Sequence, residues 1–428
     1  MKNVNFILVA LFIISAGNLS YNLVNISNKS LQMDFTAYYT AGEISSQQKN
    51  IYKNYIQENF KLWDGVAVFN HSRFLYPPVI AKLFSSLSNI NYQSAKFFWN
   101  LFNLLFAIII LLLTIRTFNF KKDINSYLIY FIILLNFFPF YALLERGQID
   151  IFSLLFVLLA IHSLVKKNSE LTSGIFFALS VFIKLNMIYI LPFLILFRKW
   201  KTTFSFVLSL LILIVISIAF SGIETNKNYL INELPRISEF AESGTDDMKI
   251  DHYMLKIYFQ MAPEALSFKD GKLYLTEFIS FNSKASLTYY GEAALKYVGI
   301  NLNRQLISLI FFTILFLPIV YLIKHPDINS AALWFLVLII ILLSSPFTWA
   351  MNLVWLFPIG FYIVNRVYKN GFDSLTLVFT AGFILIALPD NLWITDRSIF
   401  KYFYKFKYMI GEVILILSFF YLLKKTDK

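Results

Sequence analysis

Long apolar runs recur from one end of this chain to the other, most of them close to the length a helix needs to cross the hydrocarbon layer of a bilayer. Hydrophobic residues fill 58% of the 428 positions and charged residues 14%, more apolar surface than a soluble fold of this size can bury. The sequence therefore predicts an all-α, polytopic membrane protein. Its formal net charge is +12, yet the lysines and arginines stand in short clusters between apolar runs. Membrane topology accounts for that placement, and no nucleic-acid partner is expected. The absence of cysteine excludes disulfides, thiolate nucleophiles and Cys metal sites.

The first run reaches about Val24, long enough to be an uncleaved span rather than a signal peptide, despite the small residues Ser15, Ala16 and Gly17. Residues 25–95 form a first outer loop with amphipathic pieces around 35–47 and 52–62, expected to lie on the membrane surface. Tyr76, Pro77 and Pro78 open a short apolar piece that reads as re-entrant or interfacial. Spans are expected near 96–117, 124–144 and 151–165. The segment 171–197, broken by Lys184 and Asn186 and flanked by basic clusters at both ends, reads as a hairpin of two short arms, the alternative being one tilted span. After a span at 204–221 comes a long outer loop, 222–302, and then five further spans ending near Leu423. About twelve spans with both termini cytoplasmic satisfy the positive-inside rule, with Arg397, Lys401, Lys405 and Lys407 as the exception. One integral membrane domain, 1–428, is the economical reading, since no linker or internal repeat divides the chain.

On this topology the polar residues gather on one side: Asp34, Glu43, Arg73, Tyr76, Glu145, Arg146, Gln148, Asp150, Lys184 and Arg304. Charges at membrane depth are costly and face a cavity or a partner. Two readings of Asp34 stand open. It is placed to act as a base on a lipid-linked substrate, and equally to cap a helix starting at Phe35. Arg146 has its own local alternative, a pair with Glu145 or Asp150. Lys184 interrupts an apolar segment and is a candidate phosphate ligand. Asp246, Asp247, Asp251 and His252 offer cation ligands, but at a spacing that fits no metal motif, so no metal site is assigned. No serine has the His and Asp company of a nucleophile.

Taken in order, Asp34, Tyr76 to Pro78, Gly147/Gln148, Ser173/Gly174 with Lys184 and Arg198 to Trp200, and Ser345/Pro346 with Trp349 resemble glycosyltransferase family 87 of the GT-C superfamily. The resemblance covers most of the chain and rests on order and placement. It implies an inverting hexosyltransferase, typically a mannosyltransferase of the cell envelope. Such an enzyme takes its sugar from a polyprenyl-phosphate donor and passes it to a lipid-linked or glycan acceptor at the outer face of the cell membrane. Asp34 would be the general base, with Lys184, Arg73, Tyr76, Arg146, Gln148 and His252 binding donor or substrate. No cofactor is expected; a divalent cation is an open alternative but is not expected either. Two positions depart from the family pattern: Asp150 stands where Asn is common, and Met351 with Asn352 where His is common after the late Trp. A transporter or flippase would carry more intraspan charge and an internal repeat. A polysaccharide polymerase or ligase would carry more Arg and His in its long loop.

Overall fold

In the computed structural model, the described residues are 4–28, 33–47, 49–52, 74–235, 266–269, 272–275, 285–322, 327–346, 348–389 and 400–426. Among them the fold is helical except for one short antiparallel hairpin, Leu266–Lys269 with Lys272–Leu275, in which Leu266 faces Leu275. The all-α reading holds apart from that hairpin.

The helices in chain order are α1 (Phe6–Asn28), α2 (Met33–Ser46), α3 (Pro78–Phe84), α4 (Tyr92–Phe118), α5 (Ile124–Leu135), α6 (Phe138–Arg146), α7 (Asp150–Val165), α8 (Glu170–Ile183), α9 (Ile190–Leu196), α10 (Trp200–Ser221) and α11 (Ile223–Asn228). Then follow α12 (Leu287–Tyr297), α13 (Arg304–Leu322), α14 (Ala331–Ser344), α15 (Phe357–Asn370), α16 (Ser374–Ala387) and α17 (Phe400–Thr426). Six helices are long and apolar enough to cross a membrane, a bent pair makes a seventh, and five further apolar helices are shorter. The chain is thus a multi-pass membrane protein. Its outward-facing side chains include Phe6, Ile14, Phe204, Val215 and Leu317, all exposed and apolar, as lipid contact requires.

Three expectations change. First, the span near 124–144 is not one helix: α5 and α6 meet at a bend of 50°. Pro139 sits in the first turn of α6, where its missing N–H costs nothing, and Asn136 ends α5 with its amide donated to Ser15 Oγ at 2.7 Å. Second, α2 does not lie on a surface. Phe35, Tyr38, Ala41 and Ile44 are all buried, and Gly42 passes so close to α3 that an added Cβ would stand 2.7 Å from the Phe84 carbonyl carbon. Third, the run near 352–364 starts as a 3₁₀ turn, Ala350–Leu356, before α15.

The break at Lys184 is where the sequence puts it. α8 stops at Ile183, Lys184 is extended, and a 3₁₀ turn over Leu185–Tyr189 leads into α9. The other piece of the first outer loop, 52–62, lies almost wholly outside the described residues, as does most of 222–302.

Candidate active site

Four chain breaks meet around one cavity of about 380 Å³: the start of α2, the turn after α6, the break after α8 and the turn after α14. Each break frees backbone from helical regularity and lets a polar side chain turn inward. Gly147 closes α6 in the left-handed region, φ 70°, which a side-chain-free residue adopts without strain. That turn sends Gln148 into the cavity, while the Gly147 carbonyl accepts the Trp99 indole N–H at 2.8 Å.

Asp34 lies in the first turn of α2. Its carboxylate spans the bundle to the end of α6. Arg146 Nε donates to Oδ2 at 2.6 Å, Arg146 Nη2 to Oδ1 at 3.4 Å, and Gln148 Nε2 to Oδ2 at 2.8 Å. Both partners of the ion pair are buried, 6% and 7% exposed, so little solvent screens it. Asp34 lies inside α2, which begins at Met33, and its carboxylate turns inward to the end of α6. Arg146 thus pairs with Asp34, 112 positions away, while Asp150 pairs with Lys184. The Arg146 guanidinium in turn lies over the Trp349 ring, 5.1 Å from its centroid.

The orientation of Gln148 is fixed from behind. Its Oε1 accepts from the hydroxyls of Tyr38 at 3.2 Å and Tyr76 at 3.4 Å, which leaves its Nε2 to donate to Asp34. Burial, first of all, pushes both phenols well up, so they remain donors.

A second ion pair stands on the opposite wall. Lys184 Nζ donates to Asp150 Oδ2 at 2.9 Å, and Asn352 Nδ2 to Asp150 Oδ1 at 2.9 Å. Asp150 is 1% exposed and lies in the first turn of α7, where the helix dipole favours a carboxylate. The rest of the lining is apolar and aromatic, including Ile183, Leu185, Ile188, Tyr189 and Trp349.

Of the residues singled out in the sequence, Asp34, Tyr76, Gln148 and Lys184 line the cavity, and Arg146 stands directly behind Asp34. Glu43 is not among the lining residues, and Arg304 pairs with Glu292 at 2.5 Å instead. Arg73, His252 and the carboxylates Asp246, Asp247 and Asp251 lie outside the described residues. Sequence reasoning missed Tyr38, although it falls one helical turn after Asp34 and its ring had to share that face. It missed Tyr229 and Asn186 as lining residues as well.

A bundle of apolar helices enclosing a cavity with one ion-paired carboxylate wall and one ammonium wall defines a multi-pass membrane protein with an internal, enzyme-like site. Residues 74–266 match the model of glycosyltransferase family 87, the family that the motifs of the chain resemble. Asp34 and the turn carrying Trp349 and Asn352 lie outside the matched stretch and reach the site only through the fold. No curated protein matches the chain.

Proposed function

We propose that this cavity transfers a hexose, mannose-like, from a polyprenyl-phosphate carrier to a lipid-linked or glycan acceptor at the outer face of the cell membrane. In this reading both termini are cytoplasmic and each of the twelve apolar segments crosses or enters the bilayer. The observation that carries it is the cavity itself: a fixed carboxylate, Asp34, faces a lining whose single described cation is Lys184. Those are the two groups an inverting transfer needs.

The step balances as follows. The acceptor hydroxyl loses its proton to Asp34 while its oxygen bonds to the anomeric carbon. The bond from that carbon to the phosphate oxygen breaks, and its electron pair leaves with the polyprenyl phosphate. Lys184 stabilises the charge that grows on the departing oxygen. The apolar lining from Ile183 to Ile188 suits the first isoprene units, and Tyr76 and Trp349 offer ring faces to the sugar. No step calls for a metal ion.

Labelled polyprenyl-phosphate hexoses, supplied one at a time with a crude lipid acceptor to the purified protein, test the proposal. Transfer in the presence of EDTA is expected. Failure with every such donor, alongside transfer from a nucleotide sugar, would overturn it.

A further inference from the structure

Asp150 touches no part of the cavity surface, yet it is bonded to two residues that do. One of its oxygens takes the Lys184 ammonium and the other takes the Asn352 amide. Asn352 is not free to turn, because its Oδ1 accepts the backbone N–H of Trp349 at 2.8 Å. The carboxylate is therefore held at two points, one on α8's broken end and one on the turn after α14. Lys184 has extended backbone, φ −136° and ψ 100°, between the end of α8 and the 3₁₀ turn that follows, so no helical register defines where its long side chain goes. A lysine chain is flexible and has much rotamer entropy to lose, so a fixed partner decides where its charge sits.

Resting on the proposed function, we infer that Asp150 is a positioning residue: it holds the Lys184 ammonium against the cavity wall to receive the phosphate of a prenyl-linked donor, with Asn352 as its anchor. It acts through Lys184 and contacts no substrate. Asp150, and Asn352 together with Met351, are where the chain departs from the pattern of the family its motifs resemble, and the fold brings Asp150 and Asn352 together.

The donor and acceptor roles give a sharp test. Asp150→Asn sets an amide NH₂ against either the Asn352 NH₂ or the Lys184 ammonium, and Asn352→Asp sets two carboxylates together in a buried place. The exchanged pair, Asp150→Asn with Asn352→Asp, restores a donor facing an acceptor and leaves an oxygen for the Trp349 N–H. The probe is a short-chain prenyl phosphate without sugar, titrated calorimetrically against the full chain in detergent. Loss of a charge-assisted bond of this kind is worth roughly tenfold or more in affinity. Asp150→Asn should therefore weaken binding about tenfold with Lys184 present and less than about twofold in a Lys184→Gln background. In turnover it should raise the donor KM more than it lowers kcat.

The exchanged pair should recover yield and part of the binding, because Lys184 again faces an oxygen held in place, though not a carboxylate. Equal weakening in the two backgrounds, or a folded exchanged pair that binds as poorly as Asp150→Asn, would overturn the inference. If Lys184→Gln alone abolishes binding, the exchanged pair decides. A wild-type chain that shows this coupling but transfers no sugar refutes the functional reading and leaves the positioning role standing.

Discussion

Replacing Asp34 by Asn is the direct test of a general base, and the structure changes what that test has to contain. Were Asp34 a helix cap, Asn would substitute almost without cost. Instead its carboxylate neutralises Arg146, and both side chains are under a tenth exposed. Removing one member of a buried pair costs about 3–5 kcal/mol, a large share of the ~5–15 kcal/mol that holds a typical domain together. Asp34→Asn alone should therefore lower yield and melting temperature, and a loss of activity from it would be ambiguous.

The informative variant is the double one, Asp34→Asn with Arg146→Gln. It removes both charges, keeps an amide donor facing an oxygen, and should regain most of the stability lost by either single change. It cannot regain a base. Transfer per folded molecule, with folding scored by size-exclusion and thermal melting in detergent, should stay at least about a hundredfold below wild type. A double variant that is stable and within about tenfold of wild-type turnover would refute Asp34 as the base.

Gly42→Ala forces a Cβ to within 2.7 Å of the Phe84 backbone, which no side-chain rotation relieves, so α2 and α3 must separate. A loss of about 1–3 kcal/mol is expected, read as a lowered melting temperature. Glu292 is raised by burial but lowered more by its bonds to Arg304 and Lys296, so its folded pKa lies below the ordinary value of 4.5. The stability it contributes is present above that value and is lost as pH falls through the folded one. Glu292→Gln should melt below wild type at pH 7, and the gap should close as pH falls from 4.5 through the lowered folded value. A reporter inserted between 236 and 265 should read as extracytoplasmic, and a cytoplasmic reading would invert the proposed topology.

The sequence exposes what is local. Apolar runs set the helices, and Lys184 announces its break because a lone ammonium in an apolar run has to leave the helix line or find a partner. The bend between α5 and α6 also had a local signal in Asn136 and Pro139, one that the unbroken hydropathy of 124–144 concealed. The burial of α2 was legible too, since its residues from Phe35 to Ile44 include one charge, Glu43. What no local pattern encodes is which polar residue meets which. Asp34 finds Arg146 across 112 positions and Asn352 finds Asp150 across 202, and both pairings depend on how α2, α6, α7 and the turn after α14 pack.

Those pairings bear on how the proposed chemistry is driven. With Asp34 matched to Arg146 and Asp150 to Lys184, the empty cavity carries its charges in compensated pairs. During transfer a negative charge would vanish from Asp34 as it takes the proton and appear on the leaving phosphate, so the site as a whole neither gains nor loses charge. The charge moves from the Arg146 wall to the Lys184 wall. Arg146 opposes the first half of that movement, because protonating Asp34 leaves its guanidinium uncompensated. Lys184 favours the second half. The Asp34 carboxylate has a fixed direction, with Oδ2 pinned by Arg146 and Gln148 at 2.6 and 2.8 Å. Such fixed dipoles and charges need no reorganisation as the transition state forms, which is where the larger gain lies.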